Sequence, residues 1–160
     1  MVALKSLEGF IDIYLPDFKY MDAKLAKAYS NAEDYRERAS AAIAEMLRQT
    51  GAPVMDEVTG LMKKGVIVRH LVLPEQVEDS KKILKYLYET YKDDIYISIL
   101  NQFTPVGDMS SYPELTRTLT PEEYDEVVDY AIDLGVEYGF VQEEGTASES
   151  FIPEFDLEGI

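Results

Sequence analysis

The first part of the chain alternates hydrophobic and polar residues with the period of two that is typical of a β-strand. Over residues 9–19, the apolar positions of this pattern are Ile11, Ile13 and Leu15. Pro16 has no N–H group to donate to a neighbouring strand, so we expect the strand to end there. Asp17 and Lys19 then follow at its carboxyl end and, being two positions apart in extended chain, share one side.

Other segments have the three-to-four-residue spacing of amphipathic helices. They are residues 32–49, 77–91 and 120–134, with a shorter helix or turn at residues 22–29. Asn31 is a suitable N-cap for the first of them, and Gly51 is a suitable C-terminal stop. The last helix begins with Thr120, Pro121 and Glu123, which match a hydroxyl N-cap, a first-turn proline and a capping box.

Three further segments predict strands, and one predicts a turn. Residues 65–73 are almost all β-branched or aliphatic, as expected for a strand that is covered on both faces. Residues 95–103 predict the next strand and residues 138–142 a short final one. A short hairpin is one interpretation of the turn-forming residues 56–60. Strands and helices therefore alternate, which predicts an α/β fold with a parallel sheet.

Candidate binding residues fall at the carboxyl ends of the predicted strands, where such sheets collect their ligands. Asp17 and Lys19 are either a surface ion pair or a grip on a polar ligand. Arg69 interrupts an apolar strand, so it either pairs with a carboxylate such as Asp17 or Asp12, or holds an anionic ligand group. His70 should point to the opposite face, where a structural role is the more common one.

The third strand ends in Asn101, Gln102 and Phe103. Amide groups and an aromatic ring can contact a planar heterocycle, but the same residues can equally form a satisfied strand end. Neither a catalytic residue nor a metal ligand is assigned, because no carboxylate pair stands out as a general acid and base.

Charge and composition narrow the function classes. The chain has 31 acidic and 15 basic residues, a formal charge of −16, which disfavours binding to nucleic acid. No apolar run approaches the ~20 residues that span a membrane, and the N-terminus lacks a signal peptide, so the cytoplasm is expected. Cysteine is absent and His70 is the single histidine, which excludes thiol catalysis and cysteine-held metal sites within this chain.

Several motifs occur together in an order that resembles one enzyme family. They are DIYLPDFKYMD, GVIVRHLVLP, ISILNQFTP, YGFVQ and FIPEFD. The chain is similar in this respect to the C-terminal half of radical S-adenosylmethionine proteins, above all the pyruvate formate-lyase activating enzymes and their relatives. The resemblance covers most of the chain, roughly residues 9–156.

The resemblance implies a fold and a cofactor. It implies a partial (β/α) TIM-like barrel in a single domain, with barrel units over residues 1–142. The acidic extension over residues 143–160 is expected to pack on the body because it contains Phe151, Ile152, Phe155 and Leu157. The Asp-x-Lys pair, Asp17 and Lys19, would contact S-adenosylmethionine, and Arg69 would lie in the same cavity. The adenine-contacting position falls at Gln102 and Phe103, where activating enzymes can have a histidine.

The resemblance also implies machinery that this chain lacks. Radical S-adenosylmethionine enzymes hold a [4Fe-4S] cluster with a Cys-x-x-x-Cys-x-x-Cys motif, whereas this chain has no cysteine. We therefore expect a C-terminal fragment of such an oxidoreductase, inactive alone and with no cofactor bound. The complete enzyme would act on a glycyl radical enzyme as its protein substrate. An open half-barrel exposes apolar surface, so the isolated chain is expected to self-associate.

Two alternatives remain open. In the first, the chain is a stand-alone binding module: a degenerate half-barrel that has lost catalysis. In the second it is an aldolase-type enzyme that forms a Schiff base on Lys19.

Overall fold

The computed structural model of the protein describes residues 2–107 and 109–142, which form helices around a five-stranded sheet. The strands are β1 (Ile13–Tyr14), β2 (Val54–Met55), β3 (Met62–Leu71), β4 (Tyr96–Leu100) and β5 (Gly139–Val141). The α-helices are α1 (Val2–Lys5), α2 (Ala23–Ser30), α3 (Tyr35–Thr50), α4 (Val77–Tyr91) and α5 (Pro121–Leu134). The predicted alternation of strands and helices is confirmed.

Four of the strands are parallel and lie in the order β1-β3-β4-β5. The fifth, β2, pairs antiparallel with the start of β3 across the turn at residues 56–60, so the predicted hairpin is confirmed. Asp56 stabilises that turn, because its carboxylate accepts hydrogen bonds from the N–H groups of Val58 and Thr59. The parallel sheet brings the carboxyl ends of β1, β3 and β4 to one edge.

One face of the sheet forms the hydrophobic core against the helices. Its strand residues are Val66, Val68, His70 and Val72 on β3 and just beyond it, and Ile95, Ile97 and Ile99 on and beside β4, all of them buried. The helices contribute Ile43 from α3, Ile83, Leu84 and Leu87 from α4, and Val127 from α5. Burial of these aliphatic groups supplies the main driving force for folding.

The opposite face of the sheet, which we call the open face, differs from the prediction for β3. Ile67, Arg69 and Leu71 alternate with the buried residues and are only partly buried in the described part of the chain. The strand was expected to be covered on both faces because it is apolar throughout. Composition alone could not reveal that one face remains partly exposed, because β-branched residues suit both situations.

The first strand is shorter than predicted, but its pairing runs further. Only Ile13–Tyr14 form a regular strand, yet Asp17 still pairs in parallel with Arg69. Pro16 does not end the pairing, because its carbonyl accepts a hydrogen bond from Arg69 N (2.8 Å) and the next donor, Phe18 N, reaches Arg69 O (2.8 Å). The missing N–H of proline falls at a position where no donor to β3 is needed.

The start of α3 was also predicted incorrectly. Asn31 is not its N-cap; it ends α2 in a left-handed conformation (φ 49°), which asparagine tolerates better than most residues. The helix begins three residues later, after Asp34, and ends before Gly51 as predicted. The capping box of Thr120 and Glu123 at the start of α5 is confirmed.

Two expectations concern features beyond these elements. The packing of residues 143–160 onto the body falls outside the described residues. Among the helices that the structure describes, none combines the length and the apolar character needed to cross a lipid bilayer.

Candidate functional site

Three charged side chains that the sequence singled out meet at the carboxyl edge of β1 and β3. Asp17 Oδ1 accepts a hydrogen bond from Arg69 Nε (2.9 Å) and forms an ion pair with Arg69 Nη2 at 2.8 Å. The Nζ atom of Lys19 lies 3.9 Å from the other oxygen, Oδ2. Because β1 and β3 are parallel neighbours, residues far apart in the sequence come within hydrogen-bond distance. We call Asp17, Lys19 and Arg69 the charged triad.

The charged triad has one carboxylate and two cations, so it has a net positive charge in a protein of formal charge −16. All three side chains are between 37% and 51% exposed and therefore remain accessible to a ligand. The arrangement can accept a hydroxyl or amine on Asp17 and an anionic group on the two cations.

Phe18 anchors the segment that carries the triad. Its side chain is fully buried and lies 6.1 Å from the Tyr35 ring and 5.6 Å from the Tyr86 ring, measured between ring centroids. Because Phe18 points into the core, its neighbours Asp17 and Lys19 both point to the other side of the extended chain. A buried aromatic residue thus sets the direction of two polar ones.

His70 fixes the same segment from β3. Its Nδ1 lies 2.8 Å from the Phe18 carbonyl oxygen and its Nε2 lies 2.9 Å from Ser80 Oγ on α4. A carbonyl can only accept, so the ring proton is on Nδ1. Burial lowers the pKa of His70 to about 4, which keeps the ring neutral at pH 7. The structural role favoured from the sequence agrees with this burial.

Tyr35, the first residue of α3, was not identified from the sequence. Its hydroxyl donates to Asp17 O (2.9 Å) and accepts from Lys19 N (2.9 Å), so one side chain joins the main chain on both sides of Phe18. No sequence signal marks a residue 16 positions away as a partner of Lys19. Its role becomes visible only when the helix is packed on the strand.

Asp79 of α4 holds the chain just beyond the triad. It is buried, and its two carboxylate oxygens accept hydrogen bonds from Met21 N (2.9 Å) and Asp22 N (3.0 Å). Burial raises the pKa of Asp79, although the two N–H donors oppose this effect. Asp22 in turn caps α2. The loop after the triad is therefore attached to the helix layer.

The other predicted contacts, Gln102 and Phe103, lie past β4 on the same edge but are not joined to the charged triad. Gln102 is exposed, and its Oε1 lies 3.4 Å from Gln142 Nε2, while Phe103 is half-buried. Gln142 also accepts from Asn101 N (2.8 Å). The structure therefore divides the candidate site into a charged end at β1 and β3 and an amide end past β4 and β5.

Three aromatic rings lie together on the open face of the sheet, on and beside β4 and β5. Tyr96 stacks on Tyr138 (centroids 5.0 Å apart) and on Phe140 (5.3 Å). The strand register places Asp17 beside Arg69, Arg69 beside Ser98 and Ser98 beside Phe140. One row across the sheet thus runs from the charged triad to an aromatic side chain.

Among residues 2–107 and 109–142, no three His, Asp or Glu side chains are placed to hold a metal ion together. The sequence has no cysteine to supply a thiolate.

Fold and site together define an α/β protein whose parallel sheet has polar and charged side chains at the carboxyl ends of its strands. No family model matches the chain. It is 25% identical over 126 residues to a curated relative, "Uncharacterized protein MJ0674" of Methanocaldococcus jannaschii. The match covers 78% of this chain and 32% of that relative, so the chain spans about a third of the relative's length.

Proposed function

We propose that this chain contributes cofactor and substrate contacts to a radical S-adenosylmethionine enzyme of the kind that activates glycyl radical enzymes. In this proposal the sheet is part of a (β/α) barrel, and the [4Fe-4S] cluster belongs to a cysteine-bearing part that is not in this sequence. The protein substrate of the whole enzyme would be a glycyl radical enzyme. The cytoplasm suits such an enzyme, because its reducing conditions keep cluster-binding thiols reduced.

The observation that carries the proposal is the charged triad at the carboxyl edge of two parallel strands. Asp17 and Lys19 are distant from Arg69 in sequence, yet the Asp17 carboxylate lies 2.8 Å from Arg69 Nη2 and 3.9 Å from Lys19 Nζ. Ligands bind at this edge in open α/β sheets. The net positive charge of the triad suits a carboxylate, and Asp17 suits a hydroxyl or an amine.

S-adenosylmethionine has groups that these residues can bind. Its methionine carboxylate matches the cations of Lys19 and Arg69, and its ribose hydroxyls or its amine match Asp17. Gln102 and Phe103 would take the adenine through an amide hydrogen bond and ring contact. When bound beside a reduced cluster, the cofactor supplies a 5′-deoxyadenosyl radical; this chain's own residues bind and orient the cofactor.

The iron–sulfur cluster does not fit this chain. Clusters of this type are held by cysteine thiolates, and the sequence contains none. No step through the cluster is therefore assigned to these residues. The match covers only about a third of a longer relative, which supports the proposal that these residues act together with a further part of an enzyme. The isolated chain is expected to bind S-adenosylmethionine weakly and not to retain it during purification.

An NMR titration of the chain tests the proposal directly. The Nε–Hε signal of Arg69 reports on the charged triad, because that group donates to Asp17. S-adenosylmethionine should shift it with a dissociation constant of about 1 mM. Decarboxylated S-adenosylmethionine, which lacks the anionic group, should bind at least about tenfold more weakly.

Variants make the titration specific to the site. Lys19→Met should weaken binding, whereas Lys85→Met removes an equally exposed lysine on α4 and should leave binding unchanged. Equal affinity for the two ligands, or equal affinity of wild type and Lys19→Met, would reject the site assignment. Binding of unrelated carboxylates with the same affinity would favour a stand-alone binding module.

A further inference from the structure

We propose that two tyrosine hydroxyls from the helix layer, those of Tyr35 and Tyr124, are positioning groups that separately orient the two ends of the binding edge. This inference rests on the proposed function, since it concerns how the same edge recognises the two ends of one ligand. Each hydroxyl uses both its donor and its acceptor on main-chain atoms of the edge. We call these two arrangements the tyrosine bridges.

The first tyrosine bridge orients the charged end. Tyr35 spans from Asp17 O to Lys19 N and so fixes the backbone on both sides of Phe18. Those two residues supply the carboxylate and one cation of the charged triad. Without the hydroxyl, the carbonyl of Asp17 and the amide of Lys19 would each lose a hydrogen bond, and the Lys19 side chain would gain freedom.

The second tyrosine bridge orients the amide end in the same way. Tyr124 of α5 donates to Ile99 O (2.8 Å) and accepts from Gln142 N (2.8 Å), which joins β4 to the residue after β5. The Gln142 side chain then contacts Asn101 N and Gln102 Oε1. The hydroxyl thus acts on Gln102 through one intermediate residue.

Packing alone does not account for these two hydroxyls. Both rings pack in the core layer, and phenylalanine would fill the same space: Tyr35 lies 6.1 Å from Phe18 and 5.3 Å from Tyr20, between centroids. Burial raises the pKa of Tyr35 to about 12 and also raises that of Tyr124. Each hydroxyl therefore keeps the proton that it donates to the edge at neutral pH.

The two tyrosine bridges orient residues that contact different parts of the ligand. Loss of each hydroxyl should therefore affect a different ligand preference, whereas a general effect on folding would reduce both preferences together. Tyr35→Phe should loosen recognition of the carboxylate end, and Tyr124→Phe should loosen recognition of the adenine end. Tyr14→Phe is the matched control, because its hydroxyl donates to Gln49 Oε1 in the helix layer, away from the edge.

The experiment titrates wild type and the three variants with three ligands. These are S-adenosylmethionine, its decarboxylated form, and the analogue with hypoxanthine in place of adenine. Tyr35→Phe should lower the preference for S-adenosylmethionine over the decarboxylated ligand about tenfold and leave the adenine preference unchanged. Tyr124→Phe should do the reverse, and Tyr14→Phe should change neither preference.

Amide hydrogen exchange without ligand gives a second readout. Exchange at Lys19 should rise about tenfold in Tyr35→Phe, and exchange at Gln142 should rise similarly in Tyr124→Phe. Two variants that lose both preferences equally would overturn the inference, as would unchanged exchange at the two amides. Wild-type protein that binds none of the ligands would overturn the proposed function, and the exchange data alone would then decide whether the bridges position this edge.

Discussion

Both contacts of the Arg69 guanidinium with Asp17 fall on a single carboxylate oxygen, Oδ1: a hydrogen bond from Nε at 2.9 Å and an ion pair with Nη2 at 2.8 Å. The second oxygen lies 3.9 Å from Lys19 Nζ. One carboxylate therefore holds two cations in place without neutralising both. The arrangement keeps positive charge at the carboxyl edge of the sheet and leaves room for an anionic ligand.

Replacing Arg69 should affect binding much more than folding. Arg69→Gln removes one of two cations from the triad, so S-adenosylmethionine should bind at least about tenfold more weakly in an NMR titration. The pair is over a third exposed, so the free energy of unfolding should fall by about 1 kcal/mol or less in urea denaturation. Arg38→Gln, which breaks the exposed pair with Asp34, is the control and should leave binding unchanged.

Removing the Phe18 side chain should, in contrast, reduce the stability of the fold strongly. Phe18→Ala leaves a cavity under the segment that carries the charged triad, and should lower the free energy of unfolding by about 3–5 kcal/mol. Urea denaturation followed by circular dichroism measures the loss. Phe10→Ala removes an exposed ring and should change stability by about 0.5 kcal/mol or less. Similar values for the two variants would contradict the anchoring role of Phe18.

His70 should make the stability of the fold depend on pH. Its pKa is about 4 in the folded chain, against 6.5 ordinarily. Between these values the unfolded chain takes up a proton that the folded chain excludes. Stability is therefore fully present above pH 6.5 and falls as the pH is lowered towards 4, by about 3 kcal/mol at the lower limit.

A His70→Gln variant isolates this effect. The variant should be less stable than wild type at pH 7, because it loses the imidazole ring that hydrogen-bonds both the Phe18 carbonyl and the Ser80 hydroxyl. The loss of stability between pH 7 and pH 4.5 should be smaller in the variant, whereas carboxylate titration is common to both proteins. If the curves of unfolding free energy against pH were parallel for wild type and variant, His70 would take up its proton as readily in the folded chain as in the unfolded one, which would contradict the prediction.

Sequence patterns predicted the elements well where one signal dominated. The capping box at Thr120 and the helix at residues 77–91 needed no knowledge of their neighbours. Asn31 was assigned to the wrong helix end, because asparagine suits both an N-cap and a left-handed C-cap. Pro16 was taken as a strand end, although its carbonyl continues the pairing with β3.

In the candidate site, too, some features were predicted from the sequence and others were missed. The Asp17 pairing of Arg69 was among the stated alternatives, because both residues fall at carboxyl ends of parallel strands. Tyr35 and Asp79 were missed, because their partners are main-chain atoms distant in sequence. Main-chain partners leave no trace in residue type, so only the packed structure reveals them.

The open face should make the isolated chain self-associate. Phe140, on β5, is 47% exposed, and Tyr138, just before it, is 41% exposed; β5 is the last strand of the sheet in the described part of the chain. Sedimentation velocity should therefore detect a dimer at micromolar to millimolar concentration. Phe140→Ser should shift the equilibrium towards monomer, whereas Val58→Ser, at an exposed hairpin tip, should not. A wild-type monomer throughout that range would contradict this prediction.

The measurement that tests the central claim most directly is the iron and acid-labile sulfide content of this chain purified anaerobically from its source cells under a genomic tag. The account predicts iron and sulfide in the equal ratio of a [4Fe-4S] cluster, lost when the chain is separated from the cysteine-bearing part. It also predicts a cluster electron paramagnetic resonance signal that changes on addition of S-adenosylmethionine. Purified material without iron, from cells that keep the chain folded and intact, would contradict the assignment to a radical enzyme.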